Sequence, residues 1–193
     1  MGNLLLFAVL AIVALWVISA YNGLISLKNQ VANAWKQIDV QLKRRHDLIP
    51  NLVNAVKGAM EHERGTLEAV IAARNRAVSA EGVAATAAAE GALTAALGRL
   101  LALAENYPQI RATANVQQLQ EELAGTENKV AFSRQLYNDV ATQYNTRQAQ
   151  FPTSLVAGLA KASPAELWEI EAGAERAVPQ VNLSSGSPPA PPA

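Results

Sequence analysis

The chain has 193 residues, of which half are hydrophobic and 5% aromatic, and its 16 Lys and Arg balance 16 Asp and Glu. A net charge of zero gives no electrostatic reason to expect a nucleic-acid partner. With no cysteine, disulfides, thiolate metal sites and a Cys nucleophile are excluded.

The first predicted element is an uncharged apolar run from Leu4 to Ala20, in which Leu4, Phe7, Val9, Ile12, Leu15, Trp16 and Ile18 form the candidate membrane anchor. As a helix, residues 4–23 cover about 30 Å, the thickness of a bilayer's hydrocarbon core. Met1-Gly2-Asn3 supplies no basic n-region, and Ile18-Ser19-Ala20 places Ile where a signal-peptide cleavage site wants a small residue, so the run is expected to stay as an anchor. The basic residues flanking it, Lys28, Lys36, Lys43, Arg44 and Arg45, all follow it. By the positive-inside rule the short N-terminus, residues 1–3, lies outside and the remainder in the cytoplasm, beneath a membrane crossed once.

Leu24, Leu27, Val31, Trp35, Ile38 and Leu42 recur at steps of three and four, which predicts that the anchor continues as a soluble helix with one apolar face. That helix is expected to stop near His46, because Pro50 lacks an N–H and disfavours helical geometry at Ile49. A second helix is expected through Leu52, Val56, Met60, Leu67 and Val70 to about Val78. The Ala-rich stretch 83–104 has the length of a second span, but Glu90 and Arg99 would be costly at mid-bilayer. It is predicted to be a soluble helix with a seam of Leu93, Leu97, Leu100 and Ala104, ending before Pro108.

In the fourth helix Asn115 and Gln118 have the spacing of a capping box. A heptad-like stripe follows through Val116, Leu119, Leu123, Thr126, Val130, Ser133, Tyr137, Val140, Tyr144, Arg147 and Phe151. Of the charged residues on the stripes, Arg45, Glu63 and Arg147 are expected at their edges, where long side chains reach solvent. A short helix is predicted around 164–173, with Glu166 in its first turn. The Ser/Pro-rich residues 179–193 are expected to be disordered.

These residues together resemble a known family. Asn33-Ala34-Trp35, the runs Gln37 to Arg45 and Asp47 to Val53, Glu105-Asn106-Tyr107-Pro108, Leu119 to Leu123, Thr126-Glu127-Asn128 and Tyr137-Asn138 are similar, in order, to the LemA family of bacteria. The resemblance spans 21–152. It implies an all-α protein, with an N-terminal transmembrane helix continuing into an up-and-down four-helix bundle of long, coiled-coil-like helices over 24–152; the alternation of those helices then predicts a membrane-proximal segment at 153–178. One branch of that family, in magnetotactic bacteria, is associated with forming organelle membranes, and no residue here assigns the chain to it.

Enzyme chemistry finds little support. His62-Glu63 begins an H-E-x-x-H zinc motif, but Thr66 stands where the second His is needed. No phosphate-cradling Gly-rich motif and no Glu-x-x-His pair for a di-iron site occurs. The chain is therefore expected to be non-enzymatic, without cofactor or metal, and to act as a structural and interaction module that self-associates and organises membrane. A membrane-tethered adaptor for a signalling or proteolytic partner is the alternative. Two candidate surfaces follow from the alternation of helices. Arg44, Arg45, Asp47, Pro50, Asn106 and Tyr107 are expected at the end distal to the membrane, as a protein-binding or homo-oligomer surface. Phe151, Leu155, Leu159 and Trp168 are expected beside the lipid headgroups.

Overall fold

A computed structural model describes residues 1–111 and 113–169. Helix α1 (Gly2–Lys57) runs for 56 residues and is followed by a 3-10 turn (Glu61–Glu63) and by α2 (Arg64–Ser79), α3 (Val83–Ala104), the single turn α4 (Pro108–Arg111), α5 (Ala114–Ala149) and the single turn α6 (Ser154–Ala157). Among the described residues there is no strand. Helices α1, α2, α3 and α5 alternate in direction. The antiparallel pair α1 and α5 packs along its whole shared length, and the shorter α2–α3 hairpin covers the half remote from the N-terminus. Gly82, at φ +83°, supplies the left-handed residue of the turn between α2 and α3.

Helix α1 is about 84 Å long at 1.5 Å per residue. Its first part projects beyond the bundle: through Ser19 no residue is buried, and burial begins at Ala20 and Leu24. The expected stripe is present, with Leu24, Ile38 and Leu42 buried and Leu27, Val31 and Trp35 half-buried beside them.

The expected stop at His46 is overturned, because α1 passes through Pro50 and continues to Lys57. Proline removes the hydrogen bond that would reach back to the carbonyl of His46, four residues earlier. That carbonyl is instead satisfied by Arg74 of α2, whose Nε donates to it at 3.2 Å. Ile49 and Leu52 are almost fully buried on either side of Pro50, so packing also holds the helix together. The turn at the distal end therefore lies at 58–63. Leu52, Val56, Met60, Leu67 and Val70 are all buried as expected, but on two elements separated by that turn.

Helix α3 is a core helix. Leu93, Leu97, Leu100 and Ala104 face the bundle, and the same stripe carries Thr86 and Glu90, both buried. Helix α5 begins without the capping box. Thr113 is its N-cap, and the Thr113 hydroxyl donates to the Gln109 carbonyl. The heptad stripe holds from Val116 through Tyr137 and again at Tyr144, while Ala141 is buried in place of the half-buried Val140 and Gln148 is buried beside the exposed Arg147. A straight helix drifts by about 20° per heptad against a strict seven-residue repeat, enough to move the buried face by one position over several turns.

Residues 164–169 are extended rather than helical, contrary to expectation, and 170–173 lie outside the described residues. The proposed disordered tail, 179–193, also lies outside them.

Candidate functional site

Three regions of the molecule carry features that point to function: the projecting anchor, the distal end and the base of the bundle. Leu4, Phe7, Val9, Ile12, Leu15, Trp16 and Ile18 are exposed around the circumference of α1, with Leu4 at 78% and Leu15 at 68%. A helix that is apolar on every side and packs on no protein needs an apolar solvent, which a bilayer provides. The other long apolar helix, α3, has a protein partner for its stripe and is accounted for by the core.

The residues expected to form one distal surface do not converge. Asn106 is exposed and Tyr107 half-buried at the distal end, where the Tyr107 hydroxyl donates to Glu63 Oε1 at 3.4 Å across to the α1–α2 turn. Arg44 and Asp47 are exposed but lie on α1 at least ten residues before its end, about 15 Å lower. Pro50 is half-buried and lines a groove described below.

Arg45 is buried, with 4% of its surface exposed, and the expectation of an edge position is corrected. It donates to Glu90 Oε2 and Thr94 Oγ1, both at 2.9 Å, and pairs with Glu127 at 2.8 Å. The second oxygen of Glu90 accepts from His46 Nε2. Five side chains from α1, α3 and α5 thus form one hydrogen-bonded network, and the Glu90 carboxylate is satisfied at both oxygens. Such a network fixes the relative register of the three helices, because a shift of one turn would leave charges buried without partners. Glu63 is half-buried and Arg147 exposed, as expected of edge residues.

At the distal end a groove of about 900 Å³ runs between the last turns of α1 and the first turns of α2. Val53, Met60, Leu67 and Ile71 form its apolar lining, and Lys57, Glu61, Arg64 and Glu68 stand along it. The charges include two of each sign. Sequence reasoning missed this groove, because it placed the helix break at Pro50 and so assigned Leu52 and Val56 to the second helix rather than to the end of α1.

At the opposite end α6 and the residues after it fold back onto α1 and α5. Leu24 packs with Tyr144 and Ala160, and Ala157 lies beside them. The chain then turns at Lys161, at φ 45°, and continues as an extended strap along the two long helices. Two asparagines of α5 hold the strap by its backbone. Asn145 donates to the Ala165 carbonyl at 2.8 Å and accepts from the Ala165 N–H at 2.7 Å. Asn138 does the same with Trp168, at 3.0 and 2.8 Å. The Tyr137 hydroxyl donates to the Glu166 carbonyl at 2.7 Å. Burial raises the Tyr137 phenol above its usual 10.0, and the Glu166 carboxylate adds to the shift.

The strap removes Trp168 from the expected lipid contact. Only 4% of Trp168 is exposed, its ring is 5.9 Å from that of Trp35, and the Arg134 guanidinium lies 5.1 Å above it. Phe151, Leu155 and Leu159 remain exposed. The signal for the strap was present in Asn138 and Asn145, seven residues apart and hence on one face of α5 beside the seam.

Residues 34–183 match the LemA family. Among curated proteins the chain is 24% identical, over 86% of its own length and 71% of the relative's, to magnetosome protein MamQ 1 and to magnetosome protein MamQ 2 of Paramagnetospirillum magneticum. It is 24% identical, over 71% of its length and 60% of the relative's, to magnetosome protein MamQ of Magnetospirillum gryphiswaldense.

Proposed function

Because the chain belongs to the LemA family and its apolar N-terminal helix is one with its bundle, we propose that it is a non-enzymatic, membrane-anchored structural module that self-associates. The observation that carries this reading is the continuity of α1. With no loop between anchor and core, the anchor, the α1–α5 pair and the distal end are mechanically one post, so an event at the distal end is transmitted to the bilayer as a constraint on position and tilt. A flexible tether would lose that coupling.

The distal groove is the self-association surface in this reading. Its apolar lining and paired charges suit an isologous contact, in which a two-fold-related copy presents the same patch and Lys57 and Arg64 meet Glu61 and Glu68. The basic residues after the anchor support a cytoplasmic bundle under the inner membrane of a bacterium. Posts joined at their distal ends would hold their anchors at a fixed spacing, which is a means of organising membrane.

Asn54 is exposed at the groove, and the native chain has no cysteine, so a single Asn54→Cys variant reports on the contact without background. In native membranes a short bismaleimide should convert it largely to a dimer, and Lys57→Glu together with Arg64→Glu should abolish that product. A purely monomeric product in the parent variant would contradict the distal contact and leave a monomeric adaptor as the better reading.

A further inference from the structure

We infer that the turn of helix around residues 151–160 is a second membrane contact, a seat that beds the base of the bundle into the headgroup region of the leaflet its anchor leaves. The inference rests on the reading of α1 as a membrane anchor and adds a second site to it.

Residues 151–160 form about two turns of helical backbone, with N–H groups of Ser154, Ala157 and Ala160 bonded to the carbonyls four residues earlier. Thr153, Val156 and Ala160 make its inner face and are buried. Phe151, Leu155 and Leu159, spaced by four, make the outer face and are 80%, 70% and 71% exposed. The segment is thus apolar on two sides and has protein on one. A short helix of that kind on a water-facing surface would be an aggregation liability, whereas at a bilayer surface the outer face is covered.

Its position selects the bilayer. The inner face sits where Tyr144 and Ala160 close over Leu24, and burial on α1 starts one turn earlier, at Ala20. The exposed apolar face is therefore level with the point at which α1 leaves the bundle and becomes apolar all round. The charge distribution is matched to the same surface. Residues 1–35 and 140–165 contain no Asp or Glu, while Lys28, Arg147 and Lys161 fall within them and all three are exposed. The base is cationic in a chain whose net charge is zero. Apolar side chains at the acyl boundary with cations at headgroup level are what an anionic leaflet binds. Two contacts, α1 and the seat, would then fix the tilt of the post, which a lone spanning helix leaves free.

The test uses the full-length chain in vesicles containing phosphatidylglycerol, with a single environment-sensitive fluorophore on Leu155→Cys, Leu159→Cys, Leu10→Cys or Phe132→Cys, and lipids carrying a shallow nitroxide quencher. Leu10 lies in the anchor; Phe132 is equally apolar and 69% exposed but sits about 18 Å up α5 from Tyr144. Labels at 155 and 159 should be blue-shifted and quenched several-fold more than the label at 132. Quenching at 10 with none above the level of 132 at 155 and 159 would overturn the seat while leaving the anchor intact. No quenching at 10 would overturn both. Blue-shifted labels at 155 and 159 that no lipid quenches, with a disulfide forming between copies at Leu155→Cys, would assign the face to a second copy and also overturn the inference.

Discussion

One contact that supports the continuity of α1 through Pro50 can be isolated. A proline inside a helix costs about 3 kcal/mol, in part because it strands the carbonyl four residues back. Here that carbonyl, His46 O, accepts from Arg74 Nε at 3.2 Å. A hydrogen bond involving a charged group contributes about 1.5–3 kcal/mol. Because Arg74 is half-buried and long, the lower end of that range is appropriate, about 1.5 kcal/mol. Arg74→Met keeps most of the aliphatic stem and removes the donor, and for a chain of this size it should lower the melting temperature by roughly 3–6 °C. In a Pro50→Ala background the restored N–H of residue 50 takes over the His46 carbonyl, so the same Arg74→Met change should cost no more than about 0.5 kcal/mol. The cycle then shows a coupling of about 1 kcal/mol between two residues on different helices. Thermal unfolding followed by helical circular dichroism suffices, on full-length protein in one detergent at one concentration, because self-association would otherwise shift the midpoint. Equal losses in both backgrounds would refute the reasoning and transfer the role of Arg74 to its bond with the Asn75 side chain.

Other consequences concern the buried network and the strap. Glu90→Leu leaves Arg45 buried with only Thr94 and the half-exposed Glu127 as partners and should destabilise by about 3–5 kcal/mol, whereas Arg45→Met with Glu90→Leu should recover most of that loss in the same melting assay. Asn145→Ala removes both bonds to Ala165, and trypsin should then cleave after the exposed Lys161 several times faster, read by mass spectrometry. Tyr137 favours its neutral form in the fold, so its contribution is intact below the usual phenol value of 10.0 and is lost as pH rises through its higher folded value. Unfolding scans at increasing alkaline pH should therefore show a steeper loss of stability for the native chain than for Tyr137→Phe.

Periodicity made the helices legible. The stripes of α1 and α3, and that of α5 as far as Tyr137, are set by burial of apolar side chains at helical spacing, a local signal that packing reinforces. What the sequence did not disclose lies where a partner distant in the chain decides the outcome. Pro50 has the local signature of a helix end, and only Arg74, 24 positions later, cancels it. Glu90 has the spacing of a buried stripe residue, yet its burial makes sense only with Arg45 and His46 in place. Trp168 reads as an interfacial aromatic until Asn138 holds its backbone, and Asn145 that of Ala165, against α5. Of the residues named for the membrane-proximal end, Phe151, Leu155 and Leu159 are exposed in the fold, whereas Trp168 is buried. At the distal end the turn was expected at Pro50, and the groove between α1 and α2 emerged only from the folded chain.

The central claim is that this post acts with copies of itself at the membrane. It is tested most directly by the mass of the full-length protein in lipid nanodiscs large enough for several copies, measured by light scattering with particle imaging. The account predicts a defined assembly of two or more chains, reduced to single chains by Lys57→Glu with Arg64→Glu. A single chain per disc at every protein concentration would contradict it.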